Sequence, residues 1–152
     1  MRRFLSFVVF AVVALATSLS FAASSCSITD TFCVGKICML EYTWTAHTDG
    51  TFTSWTPTAP NHMVNGMILR FETDPGGTAP TALYDISMTD SRGVRIDGGS
   101  LDNRSATVTE MVTPVLGSDY KFTPNQGFLT LGISNNSVNS ATGVVRVWWR
   151  KD

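Results

Sequence analysis

Side chains that could carry out nucleophilic or acid–base chemistry are few in this 152-residue chain and lie far apart along it. A hydrolytic nucleophile needs a Ser or Cys close to a His and a carboxylate. The two histidines are His47, beside an Asp-Gly turn, and His62, after a proline-containing loop. Neither belongs to a recognisable motif, and the Gly-x-Ser-x-Gly pattern is absent. We therefore predict that the protein is not an enzyme.

Carboxylates that could bind a cation are concentrated in the middle of the chain. Calcium takes carboxylate and carbonyl oxygens from loops, and Asp85, Asp90, Asp97 and Asp102 lie in one such stretch. Their spacing matches no calcium-binding loop, and Asp beside Gly is typical of a tight turn. Clustered cysteines without a nearby His make an incomplete zinc site. The sequence thus predicts no metal and no cofactor.

Three cysteines, Cys26, Cys33 and Cys38, lie close together near the start of the mature chain. In an oxidising compartment two of them are expected to pair. We predict a Cys33–Cys38 disulfide, which closes a small loop around Gly35, and a Cys26–Cys33 bond is the alternative. The odd cysteine is then a free thiol, pairs between chains or, if it is Cys26, carries a lipid.

The four tryptophans offer aromatic surface that could stack on a sugar or anchor a protein interface. Trp148 and Trp149 are adjacent, so on a strand they point to opposite faces. We expect Trp149 in the core with Val145 and Val147, and Trp148 outward. The alternative is that Trp148 packs under a loop or the N-terminal arm. The candidate interface residues are Trp55, Arg146, Trp148 and Arg150.

The polar stretch 98–105 lies between two predicted strands and contains Asn103 and Arg104. A planar guanidinium can bind loop carbonyls or an acidic neighbour such as Asp85 or Asp102. We predict that Asn103 and Arg104 anchor this loop, and contact with a partner is the alternative.

The N-terminus has the three parts of a secretory signal peptide. Met1-Arg2-Arg3 is followed by an apolar run over 4–21 and by small residues at 22–24. We predict cleavage after Ala22 and export to the periplasm or the cell exterior, with membrane contact only through the signal peptide. The alternative is a retained anchor, since about 18 apolar residues is near the short limit for spanning a bilayer.

Short stretches of alternating apolar and polar residues follow, separated by turn signals. Asp49-Gly50 predicts a hairpin between the first two, whereas 122–127 is predicted to be a turn. The expected strands are 39–46, 51–56, 64–73, 83–89, 94–96, 107–112, 128–134 and 144–150. This pattern predicts an all-β protein, a single antiparallel β-sandwich or jelly-roll-like domain. Its parts are a signal peptide (1–22), a cysteine-containing arm (23–38) and the β-sandwich (39–152).

The charge balance excludes some classes of partner. The formal net charge is −1, and loss of Arg2 and Arg3 with the signal peptide would make it −3. A duplex-binding surface would be strongly basic, and anionic lipid also favours basic proteins. We therefore predict that the mature protein binds no nucleic acid.

Two segments resemble a known group of proteins. The first segment contains the runs Tyr84-Asp85-Ile86, Asp90-Ser91-Arg92-Gly93 and Gly98-Gly99-Ser100-Leu101-Asp102-Asn103-Arg104. The second segment contains Leu129–Asn135 and Gly143–Val147. Together they resemble small β-rich proteins encoded by tailed phages and prophages, over about 67–150. The resemblance implies a virion structural role, as a capsid or tail accessory protein, and carries no catalytic residues.

Two hypotheses about function follow. The first is an assembly protein that docks onto a capsid or tail lattice by edge strands and exposed aromatics. Under this hypothesis a homo-oligomer is one form that the protein can take. The second is a secreted module that binds a glycan or a cell-surface partner.

Overall fold

The computed structural model describes residues 22–152, apart from the side chains of Leu116 and Tyr120. The predicted signal peptide and its cleavage therefore fall almost wholly outside the described residues. The described chain is all-β, as predicted, with one 3₁₀ turn at Pro60–His62. Its ten strands are β1 (Ser25–Val34), β2 (Ile37–Thr45), β3 (Val64–Pro75), β4 (Asp85–Thr89), β5 (Glu110–Val112), β6 (Val115–Leu116), β7 (Asp119–Tyr120), β8 (Thr123–Gly127), β9 (Thr130–Ser134) and β10 (Thr142–Arg150). In this part of the chain no helix is long and apolar enough to cross a membrane.

Two antiparallel sheets pack together as a β-sandwich, which confirms the predicted fold class. Sheet A has the order β1-β2-β10-β3-β5, and β8 pairs with the first half of β3. Sheet B consists of β4 and β9, and β6 and β7 form a separate small hairpin. The last strand, β10, thus lies in the centre of sheet A between β2 and β3.

The core lies between the sheets and follows the period of two along each long strand. Alternate residues of β10 are buried, and β2 and β3 show the same alternation. Such side chains stand on one face of a strand and stabilise the fold by leaving water. The largest fully buried side chains are Leu40, Tyr42, Trp44, Ile68, Phe71, Tyr84, Ile86, Met88, Leu101, Leu129 and Leu131.

The predicted hairpin after the Asp-Gly turn is wrong. The turn itself forms, because the Gly50 amide donates to the His47 carbonyl at 2.9 Å. The neighbours of β2 are however β1 and β10, so 51–56 has no free edge of β2 to pair with. This segment crosses to sheet B instead, where Trp55 bridges to Leu131.

The sequence predicts a turn over 122–127, but 123–127 form the edge strand β8. Pro124 lies opposite Met67 in this strand. Proline has no amide to donate, and an edge strand tolerates it because one side of its backbone is free. The segment 94–96 likewise differs from its prediction, since only a single bridge from Arg95 to Thr89 forms there.

Candidate docking surface

The β1–β2 hairpin is closed by a two-residue turn and a disulfide. Val34 pairs with Ile37, so Gly35 and Lys36 form the turn. Gly35 has a φ of +60°, which is what such a turn requires and which glycine adopts at little cost. The predicted Cys33–Cys38 disulfide is confirmed, with the two Cα atoms 4.0 Å apart. A disulfide is compatible with an exported protein.

The segment predicted as an arm is therefore β1 and its turn, paired with β2 along its length. Its register sets Phe32 opposite Met39 and Val34 opposite Ile37, so these four side chains share the outer face of sheet A. Phe32 is 39% exposed, Val34 73% and Ile37 37%. The end of the hairpin thus presents large apolar side chains to solvent.

β10 extends this apolar surface across the sheet. Trp148 pairs with Met39 and Arg150 with Ile37. On the other side of β10, Arg70 of β3 pairs with Trp148. We define the hairpin patch as the apolar residues Phe32, Val34, Ile37, Met39 and Trp148 with the exposed rim cations Lys36, Arg70 and Arg150.

Trp148 is held between neighbours on this face. The Phe32 ring meets it edge to face, with centroids 5.6 Å apart and planes at 84°. The Arg70 guanidinium lies over the indole, 4.6 Å from its centroid, as in a cation–π contact. Trp148 is thus half-buried by a residue of the predicted arm, which was the alternative to full exposure. An indole so engaged makes a poor platform for sugar stacking.

The register predicted for the last strand agrees with the structure. Val145 and Val147 are fully buried and Trp149 is 3% exposed. Trp148 and Arg146 face the other way, together with exposed Arg150. A bulge in the β10–β3 pairing lies between Trp148 and Trp149.

Arg146, also a candidate interface residue, is engaged within the sheet. Its guanidinium donates to Glu41 of β2 and to Glu72 of β3, each at 2.6 Å. Burial opposes its charged form, but the two carboxylates raise the pKa of Arg146 above its ordinary value. Burial likewise raises the pKa of Glu41, and hydrogen bonds from Thr29 and Arg146 bring it below its ordinary value. Arg146 therefore ties three strands together.

Trp55 is not brought together with the hairpin patch. Its ring contacts Tyr42, a fully buried residue on the inner face of sheet A, at 6.1 Å between centroids. Its main chain bridges to Leu131 of sheet B. Trp55 is thus partly buried against the core between the sheets.

Asn103 and Arg104 lie in the loop that follows Leu101. The backbone N–H of Asn103 donates to Asp85 Oδ1 at 2.8 Å, and Asn103 has a φ of +55°. The Arg104 guanidinium donates to the Asp102 carbonyl at 2.8 and 3.1 Å and lies 3.6 Å from Glu110. These are contacts within the loop and its neighbours, of the kind a loop anchor makes.

The free edge of β1 is poorly suited to pairing with another strand. Thr29 forms a bulge in the pairing with β2, and its hydroxyl donates to Glu41 at 2.7 Å. The Asp30 carboxylate accepts the Thr31 amide at 2.7 Å. Bulges and charged side chains are devices that prevent edge-to-edge association. The side chains of the hairpin patch are therefore the better docking feature.

The acidic residues in the middle of the chain accept hydrogen bonds from backbone amides and arginine side chains. Asp97 is fully buried and accepts the Met88 amide and the Arg95 guanidinium, both at 2.9 Å. Asp90 accepts the Val94 amide and the Arg92 guanidinium, and these contacts hold the pKa of Asp90 below its usual range. Among residues 22–152, no three His, Cys, Asp or Glu side chains are grouped to hold a metal ion.

Cys26 is a free cysteine on the inner side of β1. It packs against the edge of the core, and burial raises the pKa of its thiol to about 12. A neutral, half-buried thiol is a weak nucleophile, which disfavours a bond from Cys26 of the folded protein to a second chain.

Sequence reasoning missed Phe32, Val34, Ile37 and Arg70 as surface residues. The segment 25–34 mixes Ser, Thr and Asp with isolated apolar residues, and its pattern alone does not reveal a strand. The signal that could have found them is the Cys33–Cys38 pair around Gly35, which is compatible with a two-residue hairpin turn. Arg70 reaches Trp148 only because β3 pairs with β10, which no local pattern shows.

No family model, curated protein or solved structure matches this chain. The relation to phage proteins therefore stays a prediction.

Proposed function

We propose that this protein is a non-catalytic assembly module that docks through the hairpin patch onto an apolar and acidic surface of a protein partner. The observation that carries the proposal is the exposure of Phe32, Val34 and Ile37 at the end of a disulfide-closed hairpin. In keeping with the resemblance to phage proteins, the partner we propose is a capsid or tail lattice protein. The mature protein acts after export, in the periplasm, outside the cell or on a virion.

The composition of the hairpin patch supports this role. Trp and Arg are among the residues that most often anchor protein interfaces, usually where a few anchors cluster, and Phe is enriched in interface cores. Burial of the exposed parts of Phe32, Val34 and Ile37 against a partner removes apolar area from water. The disulfide fixes the hairpin before binding, which reduces the ordering cost of association.

The charges of the hairpin patch indicate which charge the partner surface carries. Lys36, Arg70 and Arg150 surround an apolar centre, whereas the formal net charge of the chain without Arg2 and Arg3 would be −3. Self-association about a twofold axis through this patch would bring like charges together. A partner with carboxylates opposite the rim is complementary, and its association rate should fall as salt increases.

Site-specific photocrosslinking tests the proposal. A benzophenone amino acid is placed at Val34 in the protein produced in its native host. A second protein carries it at Val108, which is 57% exposed and lies beyond the opposite edge of sheet A. We expect one discrete protein adduct from position 34, its loss when Phe32→Glu is added, and no such adduct from position 108.

Equal adducts from both positions would show that the crosslinks are non-specific. No adduct from position 34 in cells that make the virion or surface structure would contradict docking by the hairpin.

A further inference from the structure

The outer face of sheet A carries exposed apolar side chains on the far side of β3 as well as in the hairpin patch. Strand β8 pairs with β3 there and sets Pro124 opposite Met67. Thr123 and Asn125 of β8 are buried on the inner face. Because side chains alternate along a strand, Pro124 and Phe122 lie on the outer face. Phe122 is 56% exposed, so the apolar surface continues to β8.

A bulge in β3 adds an apolar residue between β10 and β8. The register of β10 with β3 skips Leu69, and Ile68 and Phe71 are both fully buried. The two residues between them, Leu69 and Arg70, therefore both lie toward the outer face, where a strand without a bulge would place only one. By extension of the β3–β8 register, Leu69 lies next to Phe122.

These residues and the hairpin patch form one strip across the sheet. The strip crosses β1, β2, β10, β3 and β8, and four spacings between neighbouring strands make it about 19 Å long. It is two rows of side chains wide, and such rows are about 7 Å apart along a strand. We define the cross-sheet strip as the hairpin patch together with Met67, Leu69, Phe122 and Pro124.

A row of paired charges bounds the cross-sheet strip on one long side. Arg146 and its two carboxylates, Glu41 and Glu72, occupy the next outward positions along β10, β2 and β3. The ends of the strands bound the other side, where β10 ends at Arg150 opposite Ile37. The apolar surface is therefore long across the strands and narrow along them.

The cations of the cross-sheet strip lack carboxylate partners, unlike Arg146. Over residues 22–152, no carboxylate forms an ion pair with Lys36, Arg70 or Arg150. Arg70 lies over the ring of Trp148 instead. A ligand of complementary charge thus carries acidic side chains beside an apolar stripe.

We propose that one amphipathic α-helix of the partner lies along the cross-sheet strip, with acidic residues beside its apolar stripe. This inference rests on the proposed docking function and names the element that the partner supplies. A helix is about 10–12 Å in diameter with its side chains, and at about 1.5 Å per residue some 13 residues span the strip. A partner sheet of three or more strands would also cover the charged row of Arg146, because each strand adds about 4.8 Å.

Crosslinking from both ends of the cross-sheet strip tests this inference. A benzophenone amino acid replaces Phe122 in the protein produced in its native host, beside the protein that carries it at Val34. Both adducts should contain the same partner. Peptide mapping should place the two attachment points about 10–16 residues apart in one segment, as expected for a helix that spans about 19 Å.

The outcomes separate this inference from the docking function. An adduct from position 34 without one from position 122 would overturn the helix and leave docking by the hairpin intact. Attachment points in separate segments of the partner would also overturn the helix. No adduct from either position would contradict both proposals.

A synthetic peptide of the mapped segment provides the second measurement. Its circular dichroism should gain helical signal when the purified protein is added. Phe122→Glu should weaken peptide binding at least about tenfold, as loss of an interface anchor does, with an unchanged melting temperature. Val108→Glu is the matched control, since Val108 is 57% exposed, and it should bind like the wild type.

No gain of helical signal, or equal peptide affinity of the two variants, would overturn the inference. Two further results would assign the strip to another occupant and would overturn it as well. One is a dimer of the protein alone, and the other is flotation with phosphatidylglycerol vesicles, in each case lost in Phe122→Glu and retained in Val108→Glu.

Discussion

The two adjacent tryptophans of β10 lie on opposite faces of sheet A and should differ in what they contribute. Trp149 is in the core, so Trp149→Ala should lower the free energy of unfolding by about 3–5 kcal/mol. Trp148 contacts Phe32 and Arg70 on a partly solvated face, so Trp148→Ala should cost about 1–2 kcal/mol. Chemical denaturation of both variants measures the difference. A larger loss for Trp148→Ala would mean that the outer face holds the fold and is no docking surface.

The sequence predicts which face of the sheet each of the two tryptophans occupies, because alternation along one strand is a local property. The position of Arg70 over Trp148 is not local, since it depends on β3 pairing with β10 across more than seventy residues of intervening chain. The hydrogen bonds of Arg146 to Glu41 and Glu72 are of the same kind. The sequence therefore predicts that Trp148 lies outward but does not predict what covers it.

At the scale of the strand, Arg146 joins β2, β10 and β3 through two carboxylates. Arg146→Met should lower the free energy of unfolding by about 1–2 kcal/mol near pH 7, because two half-buried carboxylates would then face each other unpaired. The pKa of Glu41 is below its ordinary value of 4.5 in the folded protein. Its contribution is thus complete above that pH and is lost as pH falls through the folded pKa.

The difference in unfolding free energy between the wild type and Arg146→Met should accordingly shrink between about pH 7 and about pH 3. Lys121→Met is the control, since its ion pair with Asp119 is exposed and should contribute little. A difference that is the same at both pH values would show that Arg146 stabilises the sheet by packing alone.

The hairpin disulfide should matter more for local order than for the global fold. Cys33 and Cys38 are five positions apart, and a loop this short constrains the unfolded chain only modestly. The Cys33→Ala/Cys38→Ala double variant should therefore lose about 2 kcal/mol or less. Hydrogen exchange should become faster in 32–39 and stay unchanged in β9. An unfolded double variant would show that the hairpin is part of the central core.

Strands with a clear period of two were predicted close to their observed positions, as in β2, β3, β4, β9 and β10. β1 and β8 were missed for a physical reason. Edge strands are partly or fully solvated, so their residues need not alternate, and Pro124 in β8 is a residue that central strands exclude. The segment 51–56 was assigned wrongly because the Asp-Gly turn is a local signal, whereas the choice of strand partner is made by the whole sheet.

At the scale of the whole molecule, the β1–β2 hairpin lies at one edge of sheet A and β5 lies at the other. Four of the five apolar side chains of the patch belong to a hairpin whose backbone edge is blunted by a bulge and by Asp30. This combination favours docking through side chains and limits uncontrolled strand addition.

The central claim is that the hairpin patch binds a protein partner, and the affinity of the crosslinked partner for matched variants tests it most directly. Phe32→Ala and Val108→Ala each shorten an exposed apolar side chain, one inside the patch and one far from it. Calorimetric titration should show at least about tenfold weaker binding for Phe32→Ala, since truncation of an interface anchor commonly costs more than 1 kcal/mol. Val108→Ala should bind like the wild type. Equal affinity of the two variants, with both folded, would contradict the docking role of the hairpin patch.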